Sequence, residues 1–230
     1  MPPQSLALFD LDHTLLPLDS DVAWADELVK RGVVDAQWHR HRNDYFFAQY
    51  KAGTLNIGEF LQFQLGPLAA HSRATLESWR AEFLAHEILP HIRPEARDLV
   101  KTHQDEGALC AIVTATNEFI TAPIAEVFGI PHLIATLVET DAQGEFTGRP
   151  RGLPSFREGK VTRVQQWLAE MGLGLESFRT SYFYSDSLND LPLLAQVSHP
   201  VAVNPDPRLA AHAAEQGWPV LSLFASKDNA

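Results

Sequence analysis

Leu6-Ala-Leu-Phe9-Asp10-Leu-Asp12-His-Thr14 is the stretch on which the fold turns. Its apolar run, Leu6 to Phe9, is short and unalternated, as expected of a parallel strand buried on both faces. Two carboxylates follow at i and i+2, with Thr14 behind them. Ligands of open α/β sheets bind beyond the carboxyl ends of the strands, so Asp10 and Asp12 stand where chemistry is expected. A strand-ending turn with two solvated Asp residues explains the same stretch. The rest of the chain has to decide between these readings.

Working outward, residues 17–87 hold no β-branched run. Ser20 or Asp21 can cap a helix carrying Trp24, Leu28 and Val29. Asp35, Asn56 and Ser72 can cap three more, with Gly32, Gly53 and Gly66-Pro67 as stops. Trp24, Trp38 and Trp79 all fall in this segment, either packing a small bundle or facing a substrate. From Pro90 the pattern alternates. A helix starts at Pro94, a strand at Leu109–Val113 ends at Thr114, and a helix over 117–128 is bent or restarted at Pro123. A strand at His132–Val138, a hairpin turn at Asp141–Gly144 and a helix over 158–171 follow. Strands at 182–184 and 201–203, a helix at 187–195, a helix from Asp206-Pro207 and an edge strand at 219–223 complete the pattern. Alternating strands and helices imply a Rossmann-like α/β core in three layers around a parallel sheet. Its expected extent is residues 1–16 and 88–230, with an α-helical cap domain at 17–87 inserted over the loop end of the first strand.

Composition narrows the function. The chain has 230 residues, 45% hydrophobic and 20% charged, with a formal net charge of −11. That acidity disfavours nucleic acid or an anionic membrane as a partner. Cys110 is the only cysteine, so no intrachain disulfide forms, and Met1–Ser5 has no basic leader character. No stretch approaches the ~18 apolar residues of a membrane span. A cytoplasmic protein acting on small molecules is expected. No Gly-x-Gly-x-x-Gly or Walker-type run asks for a nucleotide cofactor.

Four strand ends or helix starts carry suggestive residues: Asp10/Asp12, Thr114, Lys160 and Asp186/Asp190. Each alone is a turn, a solvated lysine or a helix cap; together, in this order, they form a set. In Asp10-Leu-Asp12-His-Thr14, Ile112-Val-Thr114, Glu158-Gly-Lys160 and Ser185-Asp186-Ser-Leu-Asn189-Asp190, the sequence resembles the haloacid dehalogenase-like superfamily across its whole length. The cap placed between the first and second motifs is similar to that of subfamily IB, the phosphoserine phosphatase-like branch. The resemblance implies a Mg²⁺-dependent phosphomonoesterase acting on a small phosphorylated metabolite. Asp10 would be the nucleophile, forming an aspartyl-phosphate. Asp12 would protonate the leaving oxygen and then activate water, which calls for a raised pKa. Asp10 and Asp186 would supply carboxylates to Mg²⁺, and Asp12 its backbone carbonyl. Asp190 would orient these ligands, Thr114 would bond a phosphoryl oxygen, and Lys160 would neutralise the transferring group. Transfer to an acceptor alcohol is the alternative reaction, and a non-catalytic phosphate-binding or signalling domain the alternative class.

The substrate-reading residues are less defined. Asp19 or Asp21, beyond the nucleophile strand, could take a substrate amine or cap the helix there. Asn117 could reach the site or cap its own helix, and Asn189 lies within the fourth motif. Phosphoserine phosphatases also use a cap Arg for the substrate carboxylate. Residues 45–53 offer none in an equivalent place, leaving Arg42 or Lys51. Phosphoserine and histidinol phosphate are both candidate substrates.

Overall fold

The computed structural model describes residues 4–224. Residues 1–3, part of the segment on which the leader reading rests, lie outside it. β1 (Ser5–Phe9) occupies the centre of a seven-stranded sheet. The other strands are β2 (Leu109–Asn117), β3 (His132–Thr140), β4 (Phe146–Arg151), β5 (Thr180–Ser185), β6 (His199–Val203) and β7 (Val220–Leu221), in the spatial order β4-β3-β2-β1-β5-β6-β7. All pairings are parallel except β3 with β4, the hairpin expected at Asp141–Gly144.

The unalternated run of β1 is explained by its place. Ala7 and Phe9 face one apolar layer, while Leu6 and Leu8 face the other. All four are fully buried, and each Leu or Phe so placed contributes roughly 1.5–3 kcal/mol. Under Leu6 and Leu8 lie α7 (Glu158–Glu170), the short α8 (Leu191–Leu194) and α9 (Pro207–Gln216). On the Phe9 side lie α5 (Pro94–Asp105) and α6 (Glu118–Val127). The predicted three-layer α/β fold is present.

Between β1 and α5 the chain is helical: α1 (Ser20–Lys30), α2 (Ala36–Ala52), α3 (Ile57–Leu65) and α4 (Arg73–Phe83). Asp35, Asn56 and Ser72 cap their helices as expected. The inserted helices share apolar contacts with the α5–α6 layer: Trp24, Leu61, Leu76 and Phe83 are continuous with Ile112 and Ile120. Trp24 is wedged edge-on between Phe83 and Phe119, so it packs, whereas Trp38 is half exposed.

Four local expectations need correction. The cap of α1 is Asp19, whose Oδ1 accepts from the N–H groups of Asp21 and Val22 at 2.9 and 3.0 Å; it is neither Ser20 nor Asp21. β2 does not end at Thr114. It runs to Asn117 through a bulge against β3, where the register shifts after Val113. The segment 187–195 is a 3₁₀ turn followed by one turn of α8, broken where Pro192 enters. Pro123 does not restart α6, which is continuous through it. Proline removes the N–H that would bond the carbonyl of Phe119. Arg80 of α4 donates to that carbonyl through Nη1 at 2.7 Å and restores the missing partner.

Candidate active site

β1 delivers its carboxylates to the sheet's carboxyl edge. The N–H of Asp10 still bonds Tyr184 of β5, at 2.9 Å, and the chain then leaves the sheet. His13 adopts a left-handed conformation (φ 58°), and the carbonyl of Leu11 accepts from Thr14, Leu15 and Leu16 in a tight turn. Thr14 is thereby placed to donate its hydroxyl to Asp10 Oδ2 at 3.1 Å. The turn also returns the chain so that the N–H of Ser20 reaches Asp12 Oδ1 at 2.8 Å.

Lys160 enters from the first turn of α7. Gly159 before it approaches the carbonyl of Pro154 so closely that any Cβ there would collide. Buried Lys160 donates from Nζ to Asp10 Oδ1 at 2.8 Å and to Asp190 Oδ2 at 2.7 Å. The Ser185 hydroxyl donates to the same Asp190 oxygen at 2.7 Å. Asp190 is thus the second anionic partner of the lysine.

The electrostatics follow from burial. Desolvation pushes Asp10 up to about 7, with Lys160 opposing and the negative charges of Asp190 and Asp12 adding. Asp12 is raised to about 6, first by burial and then by the charge of Asp19. Hydrogen bonds from Ser20 and Thr116 limit the rise. Burial works against the charge of Lys160, but its two carboxylates outweigh it and hold the ammonium above the usual lysine range. Asp186 is pushed well above the carboxylate range by burial and by Asp10 and Asp190. No hydrogen bond reaches its carboxylate among the described residues.

One lysine therefore faces three crowded acids, an excess of negative charge. Among the described residues, no three acidic, His or Cys side chains are placed to hold a metal by themselves. Asp10 and Asp186, close enough to raise one another, are a pair of carboxylates of the all-oxygen kind that suits a hard divalent cation. The unbonded Asp186 carboxylate fits that role.

A stability prediction follows. Between about pH 4 and pH 7 the folded, metal-free chain keeps protons on Asp10 and Asp12 that the unfolded chain has released. Where the native state binds more protons, stability falls as pH rises. Thermal melts in EDTA should give a lower Tm at pH 7.5 than at pH 5.5. A higher Tm at pH 7.5 would mean that the ionised acids are well compensated.

The structure brings Asp10, Asp12, Lys160, Asp186 and Asp190 into one electrostatic network. Thr114 is buried on β2, its hydroxyl oxygen accepting from the N–H of Thr116 at 3.2 Å. Asn117 caps α6 by accepting from Ile120, and its amide also donates to Asp21 Oδ1 at 3.4 Å. That is the only hydrogen bond to the Asp21 side chain among the described residues. Asp21 is 7% exposed, and burial, Asp19 and Asp12 raise it well above its ordinary range. Asn189 accepts from Arg157. Arg42 is not directed at the carboxylates: its guanidinium lies over the rings of Tyr45 and Phe46 on its own helix, at 5.1 and 4.6 Å. Lys51 likewise lies over Phe47. Sequence reasoning missed Thr116, whose hydroxyl donates to Asp12 Oδ2 at 2.8 Å. Its alternation with Thr114 on one strand was the available signal. The Ser20 N–H had none, because it depends on the turn at His13.

A family model described as haloacid dehalogenase-like hydrolase matches residues 7–195. A histidinol-phosphatase from Neisseria meningitidis serogroup C (strain 8013) is 50% identical over 220 residues, spanning 96% of this chain and 99% of its own. A solved protein of unknown function from Bordetella pertussis Tohama I is 53% identical, with a TM-score of 0.91 over 96% of this chain and 100% of its own. A phosphoserine phosphatase, solved as a phospho-aspartyl intermediate analogue, shares the fold at 18% identity, with a TM-score of 0.67 over 97% and 95% of the two chains.

Proposed function

The chain belongs to the haloacid dehalogenase-like hydrolase family, and from that premise we propose a phosphomonoesterase that hydrolyses a small metabolite ester with a cationic leaving group, histidinol phosphate. Asp10 attacks phosphorus and the bond to the leaving oxygen breaks, while Asp12 gives that oxygen its proton. Water then loses a proton to Asp12, its oxygen attacks the aspartyl-phosphate, and the bond from phosphorus to Asp10 breaks to release phosphate. Thr116 and Ser20 orient Asp12 through both carboxylate oxygens. Lys160 balances charge on Asp10 and the transferring group, and Thr114 and Thr14 are the hydroxyls of the site. Asp10, Asp186 and the Asp12 carbonyl would hold Mg²⁺, which supplies a Lewis acid against phosphoryl oxygens. Residues 17–87 act as the cap over this centre.

The observation that carries the substrate reading is Asp21. A buried carboxylate with one long hydrogen bond, next to Asp12 and Asp19, is a site for a cation. The two cap cations proposed for a substrate carboxylate, Arg42 and Lys51, instead lie on aromatic rings. Histidinol phosphate carries an ammonium and an imidazole and no carboxylate; phosphoserine carries one. The identity with a histidinol-phosphatase over nearly the full length supports the same choice.

The test is phosphate release with Mg²⁺ from a panel holding histidinol phosphate, phosphoserine and uncharged alcohol phosphates. Histidinol phosphate should give the highest kcat/KM. Asp21→Asn should lower it about 10–100-fold while changing uncharged esters little. Preference for phosphoserine would overturn the reading. New phosphate esters formed in the presence of added alcohols would point instead to transfer. No turnover of any ester would leave a binding domain.

A further inference from the structure

Arg157, the residue before α7, is a non-glycine with φ 49° and ψ −120°. Left-handed backbone of this kind costs about 1–3 kcal/mol and persists where surrounding contacts over-determine it. The Arg157 carbonyl accepts from the N–H of Lys160 at 3.0 Å, and the guanidinium adds further contacts. Nη2 donates to the carbonyl of Gly53 at 2.6 Å and to Asn189 Oδ1 at 3.0 Å, and Nε reaches the same Asn189 oxygen at 3.3 Å. Gly53 caps the C-terminal end of α2. Asn189 belongs to the loop between Asp186 and Asp190. Two more bonds join the same places: Tyr50 donates its hydroxyl to Ser187 Oγ at 2.9 Å, and Arg208 donates to the carbonyl of Lys51 at 3.0 Å. The last turn of α2, with its exposed carbonyls and the negative end of its dipole, is therefore seated on two core arginines and on the loop that carries the acids.

We propose that Arg157 is a specificity-determining positioning residue: it clamps the end of α2 to Asn189, so that the inserted helices are seated for a leaving group when the acid loop is in place. This rests on the phosphatase reading for its kinetic consequence, though not for its conformational one. Binding energy from the non-reacting part of a substrate is delivered only if the surface that reads it is seated. An ester of a minimal alcohol, such as methyl phosphate, gains almost nothing from that surface. Loss of the clamp should penalise the larger ester selectively, which damage to the acid centre would not do.

The experiment compares the full chain with Arg157→Gly and Arg157→Lys. Glycine removes the guanidinium and tolerates the backbone angle, so the fold is retained. Lysine keeps the charge without the two-point fork. Amide hydrogen exchange is read without metal and with Mg²⁺ plus orthovanadate. In Arg157→Gly, residues 47–54 should exchange at least about tenfold faster, with α7 unchanged, and Arg157→Lys should fall between this and the unaltered chain. In parallel, kcat/KM is measured for the better of histidinol phosphate and phosphoserine, and for methyl phosphate, an alkyl ester that needs the same proton from Asp12. The larger ester should lose about 10–100-fold in Arg157→Gly, while methyl phosphate changes less than about threefold. Unchanged exchange at 47–54, equal losses on both esters, or a lysine variant equal to arginine would each overturn the proposal. Should the unaltered chain hydrolyse neither larger ester, the substrate reading fails, while the exchange measurement still decides the clamp.

Discussion

Asp10→Asn should lose hydrolysis by about 10⁴-fold or more in kcat while the chain stays folded. The amide has nearly the shape of the carboxyl but keeps one oxygen for two donors, Thr14 at Oδ2 and Lys160 at Oδ1, so one of these bonds is lost. What disappears is the oxygen pair able to form an acyl phosphate. The same substitution should cost little stability. Burial already pushes the pKa of Asp10 up to about 7, which means that the fold carries the charge at a cost. Its loss relieves repulsion with Asp186 and Asp190 and offsets the weaker bond to Lys160. Phosphate release from histidinol phosphate and a thermal melt give both readings. Retention of more than about 1% of kcat would remove Asp10 from the nucleophile's place.

Lys160→Met should have the largest effect on stability, and an effect that depends on pH. Lys160 is 2% exposed and its ammonium bonds two carboxylates. Removing one partner of a buried pair leaves the other charge uncompensated, at about 3–5 kcal/mol. In a chain of this size that is a fall of roughly 10 °C in Tm. Near pH 8 Asp10 is ionised in the unaltered chain, which gains there the ion pair that the variant lacks. Near pH 5 it is protonated in the folded state, and the penalty shrinks. The Tm difference between Lys160→Met and the unaltered chain should therefore be wider at pH 8 than at pH 5. Equal differences at both pH values would mean that the lysine acts through packing instead. Activity should be lost in either case.

The gathering of Asp10, Asp12, Lys160, Asp186 and Asp190 was legible because they sit at strand ends and helix starts, places that the apolar runs mark. The run before Asp10 located β1, and the runs before Thr114 and Ser185 located the strands beside it. What the chain did not advertise depends on bonds between segments distant in sequence. Pro123 reads as a helix breaker until Arg80, from another helix, supplies the missing donor. Asp19 and Asp21 are chemically alike and two residues apart. Only the direction of α1 makes one the helix cap and leaves the other in the interior beside Asn117. Thr116 lies past the expected strand end at Thr114, and is a partner of Asp12 on a β2 that runs on to Asn117. Arg42 carried a fitting charge in a fitting segment, but the aromatic rings one turn along its own helix hold it.

The central place of β1 also bears on how the molecule comes into being. Leu6 pairs with Leu109 on one side and Ser181 on the other, partners about 100 and about 175 residues downstream. During synthesis the strand that bears Asp10 emerges first and waits longest. Its apolar edges stay open until most of the chain has left the ribosome, a period when pairing with a second nascent chain competes with the native register. The acids come together only when β5 closes that edge, so hydrolysis should be among the last properties a refolding chain regains.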